Sequence, residues 1–310
     1  MLFSIAIPAY KSIFLTECIE SVLNQTVKDF ELIIVNDCSP EPIDEIVRLF
    51  GDERIRYFKN DKNIGGVNLV NNWNNCLEKA NGDYFIMMGD DDTMEPDYLY
   101  EFSKLIEKYP HLDVYHCRSK IIDENSKPIG LTPSWPEYES VYESIWHRLI
   151  GKRLQFVSDF VYKTKTLREN GGFYFLPLAW AADDITAYIA TGNKGIAHIN
   201  KPVFNYRKNS LSISSTGNHQ QKIEALVLAL KWYNSFFVKT PDNSNDRILL
   251  AELKNKVVRQ IQYHKEEIIT QALRKNRFNN LCFFYLKRKH NGIPVTGFIK
   301  SLLRSYKTKI

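Results

Sequence analysis

Cysteine is sparse and shows no pairing pattern. The five residues, Cys18, Cys38, Cys76, Cys117 and Cys282, lie far apart in 310 positions, are odd in number and form no CxxC. A disulfide framework and a cysteine-held metal both lose support, and the thiols read as small core residues of a protein kept in a reducing cytosol. Long apolar runs are missing too, for nothing approaches the ~18 residues that a membrane span needs. The apolar opening MLFSIAIPAY is short, lacks a basic start and a cleavage site, and runs into polar sequence. It reads as a first strand rather than a leader. Neither GxGxxG nor GxxxxGK(S/T) follows that strand, which removes the main support for dinucleotide-dependent dehydrogenases and P-loop enzymes. Charge of one sign is also scarce: 41 Lys and Arg stand against 36 Asp and Glu, a net charge of +5. Nucleic acid as a partner therefore has no body-wide support. The small basic excess is local and lies from Arg274 onward.

What is present is a globular composition, 44% apolar and 25% charged, long enough for one large domain or a domain with an appendage. The most informative stretch is 88–96, MGDDDTMEP, in which Asp90, Asp91 and Asp92 follow the apolar run YFIMM. A short apolar run ending in Gly reads as a buried strand, so the acids sit where it leaves the sheet. Three adjacent carboxylates repel one another and lose hydration there, and a hard divalent cation holding a phosphate offsets that cost. A helix start after Pro96 also favours acids, but one would serve.

Apolar runs at 3–7, 30–35, 55–59, 84–88 and 114–122 read as strands. Between them, 12–24, 43–50, 67–80 and 98–109 carry helical spacing, with Val67, Val70, Trp73 and Leu77 on one side of the third. Strand and helix alternate, which predicts an α/β fold with a largely parallel sheet and helices on both faces. Ligands of such sheets bind outside the carboxyl ends of the strands. The loops at Pro8, Asp37 and Asp90 all lie at those ends and converge on one crevice. Further on, 131–142 reads as a loop, either an acceptor-side flap or a surface loop packed by its aromatics. Strands are expected at 155–162 and 196–206, and helices at 220–237 and 248–273.

The segments IAIPAYKSIFLTECIESVLNQTVKDFELIIVNDCSP and NIGGVNLVNNWNNCLEKANGDYFIMMGDDD resemble the family 2 glycosyltransferases of the GT-A fold. The shared elements are P-x-Y after the first strand, S-V-L-x-Q-T, N-D-x-S, an N-x-G loop, and an acidic cluster before Pro. The resemblance implies an inverting, metal-dependent enzyme that uses a nucleotide-sugar, most often a UDP-sugar. It implies that Pro8, Ala9 and Tyr10 lie along the nucleotide, that Asp37 receives the uracil N3–H, and that Asn63 and Gly65 form a nearby loop. Asp90 would face ribose, and Asp91 or Asp92 would touch Mn2+ or Mg2+ bridging the diphosphate. The A-R-N that often follows the N-x-G loop is replaced here by Asn71, Asn72, Trp73 and Asn74, so no phosphate-binding Arg follows from that helix.

A second acidic pair, Asp183-Asp184, precedes an amphipathic stretch. The family has an acid pair at a similar point, and the resemblance makes Asp184 the catalytic base and Asp183 its neighbour or an acceptor contact. Helix capping by Asp183 is the plain alternative. Near Tyr206, Arg207 or Lys208 would contact phosphate or would be solvated strand-end charges, and 210–219 would be a loop that orders on nucleotide binding. The expected organisation is a GT-A domain over 1–217, with a nucleotide half at 1–97 and an acceptor half at 98–217, followed by a helical region at 218–310. The basic, apolar alternation near the end fits contact with an anionic membrane face or a terminal helix with a solvated Lys/Arg side. The acceptor implied is a bacterial surface glycan, lipid-linked or free, with the protein cytoplasmic or peripheral at the membrane. A nucleotidyltransferase and a catalytically silent nucleotide- or glycan-binding module are the competing readings.

Overall fold

The structure is a computed structural model, and it describes residues 1–209 and 218–306. Two compact units divide the chain: the first takes Met1–Phe175 and the stretch beginning at Ala182, the second takes Leu176–Ala181 and the C-terminal helices.

The first unit is built on one mixed sheet. Its strands in chain order are β1 (Phe3–Ala9), β2 (Phe30–Asn36), β3 (Ile55–Lys59), β4 (Tyr84–Met87), β5 (Thr93–Met94), β6 (Val114–Ile122), β7 (Pro128–Leu131), β8 (Tyr138–Glu139), β9 (Phe160–Lys163) and β10 (Ile196–Arg207). They lie in the order β3-β2-β1-β4-β9-β6-β10-β5, with β7 beside β6 and β8 beside β10. Strands β3, β2, β1 and β4 are parallel, as the alternation predicts. The middle departs from that expectation, because β9 runs antiparallel to both β4 and β6.

Helices cover both faces of the parallel half. Phe3, Ile5, Ile7 and Ala9 of β1 share a core with Leu15, Cys18 and Ile19 of α1 (Leu15–Leu23) and Leu99 and Phe102 of α4 (Tyr98–Lys108). Alternate residues of a strand face opposite sides, and α3 (Leu69–Glu78) packs against β1 and β2 from the other side. The short α2 (Ile43–Arg48) follows β2. Val67 is a correction to the expected stripe, since it is 89% exposed. The side chain of Asn68 accepts from the N–H of Asn71 and starts the helix at Leu69, two residues later than expected.

The expected 131–142 loop is more ordered than its composition suggests. It holds β8, buries Trp135, and leads into α5 (Val141–Leu149). Ser140 and Glu143 form a reciprocal capping box that starts this helix. The strand expected over 155–162 begins only at Phe160, because Val157–Asp159 is a 3-10 turn in which Asp159 accepts from the N–H of Phe156 at 2.8 Å. Two more helices complete the unit, α6 (Thr164–Glu169) and α7 (Ala182–Ala190).

The second unit is helical: α8 (His219–Phe236), α9 (Ser244–Lys275), α10 (Arg277–Lys287) and α11 (Val295–Tyr306). Asn243 caps α9, accepting from the N–H of Asn245, so that helix starts earlier than its apolar spacing indicates. The loop expected to order on nucleotide binding falls mainly outside the described residues.

Candidate active site

The carboxyl ends of β1, β2 and β4 are tied together by their own polar groups. The backbone N–H groups of Tyr10 and Lys11 donate to Asp90 Oδ2 at 2.9 and 2.8 Å, which joins the first loop to the acidic loop. Burial and the neighbouring Asp91 charge push Asp90 up to about 6, against the pull of those two N–H groups. Pro8 and Ala9 are paired within β1, opposite Val35 and Asn36, so the loop itself opens at Tyr10.

Asp37 follows β2 and is buried. Its carboxylate accepts from the N–H of Ile64 at 2.8 Å, from the N–H of Gly65 at 2.7 Å and from Asn60 Nδ2 at 2.8 Å. The loop 60–66 thus wraps Asp37, and a Cβ on Gly65 would lie 2.8 Å from Asp37 Oδ2. Asn63 turns its amide inward on its own loop, accepting from the N–H of Gly66 at 2.6 Å.

The three acids after β4 divide in their surroundings. Asp92 is buried: its Oδ1 accepts from the N–H of Arg207 at 2.8 Å, and Ser158 Oγ lies 3.5 Å from its Oδ2. Burial, then the Asp91 charge, push Asp92 well above the usual carboxylate range. The Asp91 side chain keeps 17% exposure; its Oδ2 accepts from Asn209 Nδ2 at 2.6 Å and lies 3.7 Å from the Lys11 ammonium. Among the described residues, no group of three or more His, Cys, Asp or Glu side chains forms a closed metal site. The donor set at Asp91 nevertheless fits Mg2+ or Mn2+. Such ions are commonly held by one or two carboxylates, with substrate phosphates and water completing the shell, and Asp91 is a partly exposed carboxylate at the strand end.

Arg207, expected as a phosphate contact or a solvated strand-end charge, is enclosed by protein groups in this structure. It is buried, and its guanidinium donates to the Asp91 carbonyl at 2.7 Å, the Asp123 carbonyl at 3.1 Å, Ser126 Oγ at 2.8 Å and Glu17 Oε2 at 2.6 Å, while lying over the Phe14 ring. It braces the acidic loop from behind.

The second acidic pair sits in the first turn of α7. Asp184 is buried; Arg148 Nε donates to its two oxygens at 3.2 and 3.0 Å, and Gln155 Nε2 donates to Oδ1 at 2.5 Å. Asp183 is half-buried. Burial and the Asp184 charge push it up to about 7, with Arg148 pulling the other way. Sequence reasoning missed Arg148, Gln155, Ser158, Lys11 and Asn209. Ser158 meets Asp92 and Gln155 meets Asp184. Three residue steps span at most ~11 Å of chain, so one short segment ties the acid triplet to the acid pair.

The glycosyl transferase family 2 model matches residues 4–167, just over half of the chain. The chain belongs to glycosyltransferase family 2. An uncharacterized glycosyltransferase of Haemophilus influenzae is 26% identical over 231 residues, 71% of this chain and 69% of that protein. The chondroitin synthase of Pasteurella multocida is 31% identical over 140 residues, 44% of this chain but only 14% of that longer protein. Among solved structures, Staphylococcus aureus TarS 1-349 with UDP-GlcNAc superposes with a TM-score of 0.67 at 19% identity, covering 89% of this chain and 82% of TarS 1-349. Mannosyltransferase PcManGT from Pyrobaculum calidifontis, in complex with GDP-Man and Mn2+, superposes at 0.56 with 13% identity, covering 98% and 86%. The fold of this family 2 member is thus the GT-A fold of its structural neighbours.

Proposed function

We propose that this family 2 enzyme transfers a sugar from a nucleotide-sugar, with UDP as the favoured carrier, to a hydroxyl of a surface-glycan acceptor, with inversion at the anomeric carbon. The observation that carries the reading is the Gln155–Ser158 segment, which contacts both Asp184 and Asp92; it supports taking the acid triplet for the diphosphate and the acid pair for the acceptor proton as parts of one site. The donor complexes of the structural neighbours and the synthase activity named for the Pasteurella relative support the substrate class.

In this reading 1–217 forms the catalytic domain, its first 97 residues holding the nucleotide and the remainder the acceptor. Tyr10 and the loop after Pro8 and Ala9 line the nucleotide. Asp37, held by Ile64 and Gly65, offers a carboxylate to the base once loop 60–66 yields. Asp90 faces ribose, and Asp91, the accessible acid beside Lys11, is the metal ligand, while buried Asp92 shapes the loop. When bound, a divalent ion supplies charge neutralisation to the departing diphosphate. The Asp183–Asp184 pair takes the acceptor proton as the new bond forms, for a hydroxyl is a poor nucleophile until relieved of it. Arg148 and Gln155 fix Asp184 for that role. Mn2+-dependent release of UDP from a UDP-sugar tests the proposal. Pyrophosphate release would replace it with a nucleotidyltransferase, and binding without turnover would leave a silent module.

A further inference from the structure

Helices α10 and α11 carry apolar residues on the side away from their packing. In α11 the buried stripe is Gly297, Phe298, Ser301 and Ser305. It rests on α9, where Ser301 Oγ donates to the Glu266 carbonyl at 3.0 Å and Arg304 pairs with Glu267 at 3.1 Å. On the opposite side Val295, Ile299 and Leu303 recur every fourth residue and are exposed, Leu303 at 60%. That spacing puts them in one row. In α10, Phe284 is buried, while Phe278 and Leu286, on the other side of the helix, are 89% and 71% exposed. The two helices are neighbours: Arg277 lies over the Tyr306 ring at 3.9 Å, and the Tyr285 and Phe298 rings are 5.6 Å apart.

A helix packed on a domain normally turns polar residues outward. Here the outward residues are large and apolar, and the charges carried by these two helices have one sign. No Asp or Glu follows Glu267, whereas ten Lys and Arg do, among them Lys287, Arg288 and Lys289 at the end of α10 and Lys300 beside Ile299. A protein partner could match the apolar rows alone. A surface that presents negative charge over an apolar interior matches both features at once, and an anionic bilayer has that profile. Among the described residues no helix is long and apolar enough to cross a membrane, so the contact lies in the interface plane.

We propose that α10 and α11 dock this protein on an anionic lipid surface, inserting the Phe278–Leu286 and Val295–Leu303 rows among the acyl chains. The proposal goes beyond the glycosyltransfer reading and stands or falls without it. The test is co-sedimentation of the full chain with phosphatidylglycerol–phosphatidylcholine vesicles and with phosphatidylcholine alone. The full chain pellets with the anionic vesicles, weakly with the neutral ones, and is released by high salt. Lys287→Gln and Lys289→Gln each lower partitioning by about fivefold. Leu286→Ser with Leu303→Ser lowers it at least about tenfold without adding charge and leaves the melting temperature unchanged, since both side chains are exposed. A full chain that stays in the supernatant with anionic vesicles overturns the proposal, as does a double Ser variant that pellets like the parent. Sedimentation velocity showing a dimer that the double variant dissociates, with no vesicle binding, would instead make the face an interface between copies.

Discussion

Arg148 Nε lies 3.0 Å from Asp184 Oδ2, and through that contact α5 fixes the acid pair at the start of α7. The guanidinium keeps Asp184 paired, while Asp183 beside it is pushed up to about 7 by burial and by the Asp184 charge. Asp183 is therefore the member of the pair raised toward neutral pH, a range suited to proton transfer near pH 7.

Replacing Asp184 with Asn should lower kcat by about a hundredfold or more while leaving the UDP-induced thermal shift intact. Arg148→Met removes the cation that restrains Asp183, so the acid limb of the kcat–pH profile should move to higher pH. An unmoved limb in Arg148→Met would show that the pair does not set the rate, and full activity of Asp184→Asn would remove it from the chemistry.

The same groups govern stability. A carboxyl whose native pKa is raised above its unfolded value binds more protons when folded, so stability falls as pH rises through that interval. For Asp90, raised to about 6, and Asp183, raised to about 7, the loss runs from about pH 4 to about pH 7. Metal- and nucleotide-free protein should therefore melt at a lower temperature at about pH 8 than at about pH 5. Asp183→Asn should reduce that difference and melt higher than the parent at the alkaline end, a stabilisation obtained at the cost of activity. Melting curves at both pH values decide; a variant that loses stability equally at each would show that Asp183 serves chiefly to cap α7.

Much of this arrangement is legible in the chain. Phe3–Ala9 and Phe30–Asn36 are near-continuous apolar runs, as a strand buried on both faces requires. The acids after Met88 announce themselves by being adjacent at such a strand's end. Other parts have no local signature. The direction of β9 depends on which strands flank a four-residue segment, and short strands take their partners from tertiary context. Arg148 stands 36 residues before Asp184, and no spacing rule links positions so far apart. The α5 helix is a different case: Ser140 followed by Glu143 is a capping-box signal present in the sequence, masked by the Pro, Trp and Tyr around it.

Arg207 exemplifies a charge whose role changes with burial. As a strand-end cation it would pair with phosphate; enclosed by Glu17, Ser126 and two backbone carbonyls, it braces the Asp91–Asp92 turn. Arg207→Met would leave those acceptors without their donor and should cost about 3 kcal/mol of unfolding free energy, read from urea denaturation. An exposed phosphate ligand could be replaced with little change in stability, so an unshifted midpoint would restore the phosphate role.

Gly65 tests the nucleotide side of the site. Its N–H donates to Asp37 Oδ2 at 2.7 Å, and a Cβ there would approach that oxygen to 2.8 Å, closer than such contacts occur. Gly65→Ala must push loop 60–66 away from Asp37, at a cost of about 1–3 kcal/mol by analogy with other overpacked sites. If Asp37 meets the nucleotide base within this loop, UDP affinity measured by calorimetry should fall about tenfold or more, the equivalent of about 1.4 kcal/mol. The Asp37→Asn variant probes the same contact from the other side. It retains one carbonyl acceptor but turns an amide donor toward the N–H of Gly65 or of Ile64, so it should cost about 1–3 kcal/mol of stability and, if the carboxylate receives the uracil N3–H, weaken UDP as well. Unaltered UDP binding in both variants would move the nucleotide away from the β2 exit.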